Sequence, residues 1–397
     1  MANVRRTIFA FYYLEDELRL DPAALLRGDL PPPGPARVRA VALLTGERHR
    51  LEPAEFEAVS RVPATRWIAD EGLDRETLRS LTAKGLVLTD GANGRLAALR
   101  ERDEALAANE WNVYAAAYHY MTQWSGVEGA DGEVDTSVLR ANAREAARSL
   151  VERHGPPPGP FADFPSGPAF ALPAIERDGQ LYDALRARRT TRAFDMGTPM
   201  TVEQLDTVLR YVFGCHGYAT NTADVVCIKR TSPSGGGLHP VEVYPVVSNV
   251  AGVDPGIYHY NARDHSLVAL EALDAGRARG LATAFMAGQS FFGDAHVSFV
   301  LSARYYRNHW KYRRHDRSYA GILMDAAHLS QTLYLVSADL KLGAFVTLAI
   351  NGRDIEQRVG LDGVAEGVVA MAGCGPRDVD GSPLELAFAG PVNPDSS

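Results

Sequence analysis

Apolar and polar positions change period several times along the chain, and each change marks an element. Residues 37–44 (RVRAVALL) alternate polar and apolar, as a strand with one buried face does. Residues 52–62 and 74–84 have helical spacing. Gly85 then acts as a C-cap before a short apolar strand at 86–88. Strand, helices and the closing KGLVLTD strand predict a small winged-helix unit. One long helical stretch is expected at about 95–123, aromatic through Tyr114, Tyr118, Tyr120 and the following Trp124. Thr201 and Gln204, three apart, form a capping box that opens a further helix. Residues 241–247 and 298–302 read as buried strands. Residues 318–340 read as a long helix with Ile322, Ala326, Leu329, Leu333 and Val336 along one face. Helices and strands are mixed without the regular alternation of a doubly wound sheet, so the expected class is α+β.

Two PPPGP stretches, at 31–35 and 156–160, cannot lie inside a helix or a central strand. The second opens a Pro-, Gly- and Ser-rich segment at about 155–173, where the main boundary is expected. The division is then a unit at 1–94, a helical connector and linker at 95–177, and a C-terminal domain at 178–397. The chain's 397 residues are more than one typical domain needs.

Composition narrows the function classes. With 46% hydrophobic and 23% charged residues, the chain is ordinary for a soluble globular protein. A formal net charge of -8 speaks against nucleic-acid binding by the whole surface. No apolar run approaches the ~20 residues that span a bilayer, and Glu15, Asp16 and Glu17 interrupt the start too soon for a signal peptide. No membrane association and a cytoplasmic location are the expectations. Cys215, Cys227 and Cys374 cannot all pair and lack CxxC spacing, so each is expected to be a reduced, small buried hydrophobe. The histidines show no HExxH or comparable spacing, and no metal is assigned.

Three constellations carry candidate chemistry. Residues 186–195 (RARRTTRAFD) place four arginines and two hydroxyls within seven residues, and guanidinium forks suit phosphate oxygens. Taken alone, the stretch reads first as a solvated basic helix end. Residues 232–240 (SPSGGGLHP) put three glycines before a strand, letting backbone approach a flat or anionic ligand. A flexible hairpin loop explains the same glycines. Residues 304–317 hold six Lys or Arg and two histidines against one acid, Asp316, which as a bare charge run describes a solvated surface.

Together these segments resemble the nitroreductase superfamily over about residues 181–377, and within it the SagB-type dehydrogenases of ribosomal-peptide maturation. The resemblance implies a nitroreductase-like FMN-binding fold, with FMN as cofactor. It places Arg188, Thr190 and Arg192 at the flavin, beside Arg189. Pro233, Ser234, Gly235 and Gly236 would lie along the ring, with Gly343 and Arg377 closing the site. Lys311 and Tyr312 match the Lys-Tyr pair of azoline oxidases. The chain departs from the pattern at Arg313 and Lys341, where glycine is common, and at Asp325, where glutamate is.

The reaction so implied is oxidation of an azoline to an azole in a ribosomally made precursor peptide. Lys311 would be the base, its pKa depressed by desolvation beside other cations, and Tyr312 its assistant. The resemblance further implies a homodimer with shared flavin sites and a peptide-modifying partner enzyme. The N-terminal unit resembles winged-helix peptide-recognition elements, which implies leader-peptide binding by β-augmentation. Two rival readings are a reductase that takes electrons from NAD(P)H and a non-catalytic peptide-binding scaffold.

Overall fold

A computed structural model describes residues 3–15, 36–128, 151–156, 175–220 and 225–379, with 148, 170, 172 and 173. The PPPGP stretch at 31–35 and most of the expected linker at 155–173 lie outside the described residues. The chain forms two compact units. One comprises Met1–Gln123, Arg304–Gly321 and Asp362–Glu366; the other comprises Trp124–Ala303, Ile322–Leu361 and Gly367–Ser397.

The first unit holds two three-stranded antiparallel sheets among its described residues. Strand β1 (Asn3–Arg6) lies between β5 (Ile68–Ala69) and β6 (Val87–Thr89), and β3 (Arg37–Ala42) lies between β2 (Ala10–Glu15) and β4 (Glu47–Leu51). Helix α1 (Pro53–Arg61) starts with proline in its first turn and a Glu52–Glu55 capping box. In α2 (Arg75–Ala83), the Asp74 carboxylate accepts from the Thr77 amide at 2.8 Å. Val4, Leu51, Val59, Leu81, Leu86 and Val87 share one core. This unit is richer in sheet than the sequence pattern predicts. Strand β4 (ERHRL) buries only its last residue, so it carries no period-two apolar signal.

The single helix expected at 95–123 is two helices, α3 (Arg95–Ala108) and α4 (Val113–Thr122). Glu110 turns the chain at φ 55°, and Asn112 caps α4 by accepting from the Tyr114 and Ala115 amides. Trp111, buried between the helices, donates its indole N–H to the Val364 carbonyl and packs 4.4 Å from the Tyr305 ring.

The second unit opens with α5 (Gln180–Ala187) and α6 (Val202–Val208), the latter running on into a π turn at Leu209–Phe213. The capping box read from Thr201 and Gln204 is present, with reciprocal bonds of 3.2 and 3.0 Å. A small hairpin, β7 (Gly217–Thr220) and β8 (Val226–Lys229), precedes the main sheet. That sheet is built from β9 (Val241–Val247), β10 (Gly256–Asn261), β11 (Ser266–Ala272), β12 (Val297–Arg304), β13 (Leu342–Thr347) and β14 (Glu366–Pro376). Its order is β11-β10-β9-β12-β14-β13.

Helices α7 (Ala275–Phe285) and α8 (Ser290–Gly293) contribute Phe285 and Phe292 to the core around Val246, Val300 and Phe345. The Phe292 and Phe345 rings stack at 4.1 Å. Gly373 makes room for this, since a Cβ there would fall 2.4 Å from Phe345. After β12 come α9 (Tyr305–Tyr312), which belongs to the first unit, and the long α10 (Ser318–Asp339). On α10, Ile322, Ala326, Leu329 and Leu333 are buried as their spacing predicts, and Val336 is half-buried. Helix α11 (Gly352–Val359) precedes β14. The three cysteines are free. Only Cys374 is the buried hydrophobe expected of all three, because Cys215 and Cys227 flank or lie in the partly exposed β7–β8 hairpin.

Candidate functional site

The arginine- and threonine-rich segment leaves α5 at Arg188 and runs extended along the ends of β13 and β14. The Thr191 amide donates to the Ala344 carbonyl at 2.8 Å, and the Asp195 amide donates to the Pro376 carbonyl at 3.0 Å. Phe194 and Arg377 form an antiparallel bridge. Gly343 permits this approach: a Cβ there would sit 2.5 Å from Thr191 Cγ2, and Thr191 is fully buried.

Tyr334 of α10 organises the neighbouring side chains. Its hydroxyl lies 3.0 Å from Thr190 Oγ1, and the Arg188 guanidinium sits over its ring at 5.5 Å. Arg192 lies over the Phe292 ring at 5.9 Å.

A cleft of about 240 Å³ opens beside this segment, with Arg189, Tyr334, Lys341 and Arg377 among its lining. Its three cations come from three separate places: the residues after α5, the turn after α10 and the end of β14. No acidic side chain lines it, and none of the three makes an ion pair among the described residues. Such a donor set suits a dianion, because guanidinium forks and an ammonium meet phosphate oxygens without like-charge cost. The phosphate end of FMN fits these residues. Lys341 was visible in the sequence only as a departure from glycine; its place in the cleft had no local signal.

The glycine loop is fastened to a different face of α10. The Ser234 hydroxyl donates to Asp325 Oδ2 at 2.5 Å, and the Gly235 amide donates to Oδ1 at 3.1 Å. The Ser232 hydroxyl lies 2.6 Å from that of Thr332, and His328 Nδ1 lies 3.3 Å from the Pro233 carbonyl oxygen. Gly236 and Gly237 take φ of 63° and 69°, which a residue with a Cβ adopts only at a cost. Asp325, noted in the sequence only for standing where glutamate is common, is therefore the residue that sets this loop, and its pairing across ninety-one positions has no local signal. Tyr334 and Asp325 are nine residues apart, about half a turn around the helix at ~100° per residue. The arginine segment and the glycine loop thus address opposite faces of α10.

Lys311 and Tyr312 end α9 in the first unit, with Lys311 Nζ 5.6 Å from the centre of the Tyr312 ring. Lys311 is exposed, so the described residues of its own unit do not supply the desolvation expected around it. Arg313, at φ 48°, and Arg314 both pair with Glu110. Among the described residues no group of three or more His, Cys, Asp or Glu side chains is placed to hold a metal. No helix there is long and apolar enough to cross a membrane.

The nitroreductase family matches residues 185–375. The nitroreductase-like protein MJ1384 of Methanocaldococcus jannaschii is 30% identical over 186 residues, which is 47% of this chain and 86% of that one. The trifolitoxin-processing protein TfxB of Rhizobium leguminosarum bv. trifolii is 28% identical over 245 residues, or 62% of this chain and 61% of TfxB. One chain of the Escherichia coli microcin synthetase McbBCD complex, solved with truncated pro-MccB17 bound, is 17% identical at a TM-score of 0.49. That match covers 69% of this chain and 94% of the other. With its family match over the sheet and the arginine segment, and a relative matched over most of its length, this chain belongs to the nitroreductase family.

Proposed function

We propose that this chain is an FMN-dependent oxidoreductase that matures a ribosomally made peptide by oxidising azolines to azoles. The observation that carries the cofactor part of the proposal is the acid-free cleft of Arg189, Lys341 and Arg377 beside the Tyr334-ordered Arg188 and Thr190. The cofactor is FMN. Arg188, Arg189, Thr190 and Arg377 hold its phosphate end, and Arg192 lies further along the same segment. Bound FMN supplies two-electron redox chemistry.

The protein's own part is to orient the substrate ring and to move one proton. Lys311 Nζ takes the proton from the ring carbon, and Tyr312, beside it, holds that ammonium by hydrogen bonding. Because Lys311 is exposed in this chain, its desolvation comes from bound peptide or from a second subunit. Pro233, Ser234, Gly235 and Gly236 serve the flat part of the ligand.

Their placement on the far side of α10 from the arginine segment supports a homodimer in which each flavin draws on both subunits. The likeness to a protein named for trifolitoxin processing supports a precursor peptide as substrate. A peptide-modifying enzyme is proposed as its partner. The N-terminal unit is proposed as a winged-helix-like leader-peptide reader.

The test is to incubate the full chain in air with a peptide carrying a thiazoline or oxazoline. Loss of two hydrogens from the ring, seen by mass spectrometry, supports the proposal. An unchanged ring, together with flavin bleaching by NAD(P)H, assigns the chain to reduction instead.

A further inference from the structure

We infer that Lys341 is an anion-binding residue that gives this chain its grip on a terminal phosphate monoester, and so its preference for FMN over riboflavin. The inference rests on the FMN reading and gives one residue of its cleft a specific role. Helix α10 ends by bonding the Leu340 amide to the Val336 carbonyl and the Lys341 amide to the Ala338 carbonyl. Lys341 itself has φ 61°. It occupies the position just past a helix where glycine is favoured, because a Cβ crowds the backbone in the left-handed region.

A lysine at this position is conformationally disfavoured, and its side chain makes no hydrogen bond or ion pair among the described residues. The side chain instead lines the cleft shared with Arg189 and Arg377. Arg313 offers the contrast. It too replaces an expected glycine and has positive φ, but it is paired with Glu110.

Three cations around one cleft, without an acid to neutralise them, raise the local potential and leave it uncompensated until an anion binds. A phosphate monoester with a second pKa near ~6 supplies about two negative charges at neutral pH. Riboflavin supplies none. The lysine therefore acts on one end of the ligand and leaves the ring end untouched.

The decisive comparison is full-length wild type against Lys341→Gly, each titrated with FMN and with riboflavin by fluorescence and each melted without flavin. Glycine removes the ammonium and relieves the backbone. The apo variant is expected to melt at an equal or higher temperature, to lose FMN affinity by about tenfold or more, and to bind riboflavin as wild type does. Unchanged FMN affinity in the variant overturns the inference, as does an equal loss for both flavins.

Inorganic phosphate is a second probe, and it separates this inference from the FMN reading. If wild type takes up no flavin, the FMN reading fails. A rise in wild-type melting temperature with phosphate that is lost in Lys341→Gly still upholds the anion site, whereas an equal rise in both proteins overturns it.

Discussion

The hydroxyls of Thr190 and Tyr334 lie 3.0 Å apart, and the same tyrosine ring carries the Arg188 guanidinium. One side chain from α10 thus holds two groups of the arginine segment in register with each other. Tyr334→Phe removes only the hydroxyl and is expected to cost about 0.5–1.5 kcal/mol of stability. FMN affinity should fall by less than tenfold. Tyr334→Ala also removes the ring under Arg188 and should weaken FMN further. Denaturant melts of the apo chain and flavin titration measure the two effects, and equal FMN affinity in all three proteins would contradict the role given to Tyr334.

Gly343→Ala should act first through Thr191, which supplies the three atoms nearest the added methyl. The added methyl would lie 2.5 Å from Thr191 Cγ2, and Thr191 is held by the hydrogen bond its amide donates to the Ala344 carbonyl. Overpacking of this kind costs about 1–3 kcal/mol. Thr191→Ala, which vacates most of that space, should lower the cost of Gly343→Ala. A double-mutant cycle that is additive within about 0.3–0.5 kcal/mol would show that the two positions do not press on each other.

Acid should weaken the fold through His296 and His309. Both are buried, and burial holds each below the ordinary histidine pKa of 6.5. The unfolded chain then binds more protons than the folded one between those lowered values and about 6.5. Stability is full above about pH 6.5 and is lost as pH falls from there toward the lowered folded values. Melting temperature should drop on going from about pH 7.5 to about pH 5.5. The drop should be smaller in His309→Gln, which keeps a polar side chain but does not titrate; identical pH profiles would contradict this.

What the sequence made legible was local. The Thr201–Gln204 box, the 241–247 run and the buried stripe of α10 follow from neighbours within a few residues, and each is found where its pattern puts it. Pairings across long separations left no such pattern. Strand β1 joins Ile68–Ala69 to Val87–Thr89, and nothing in its four residues announces that. The break at Glu110 depends on a positive φ in a residue that rarely adopts one. The motifs identified Arg188, Thr190, Ser234 and Gly235 as candidate residues. Asp325 and Lys341 stood out in the sequence only as departures from a pattern, and what they hold or complete, like the whole part played by Tyr334, emerges only when α10 is placed against both segments.

Lys311→Ala and Arg188→Ala should fail in opposite ways. Losing a general base costs about a hundredfold to ten-thousandfold in rate. Lys311→Ala should therefore keep its flavin and its melting temperature while losing most turnover of an azoline peptide, with Tyr312→Phe losing less. Arg188→Ala should shed flavin first. Near wild-type turnover by Lys311→Ala would end the azoline-oxidase mechanism while leaving the cofactor assignment standing.

The central claim is that this chain is built around FMN, and the flavin itself is the most direct thing to measure. Purified full-length protein is heat-denatured, and the supernatant is chromatographed against FMN, FAD and riboflavin. The expected result is FMN, released by a yellow protein that takes the same cofactor back after it has been stripped. FAD in its place, or no flavin together with no uptake of added FMN, would contradict the account at its root.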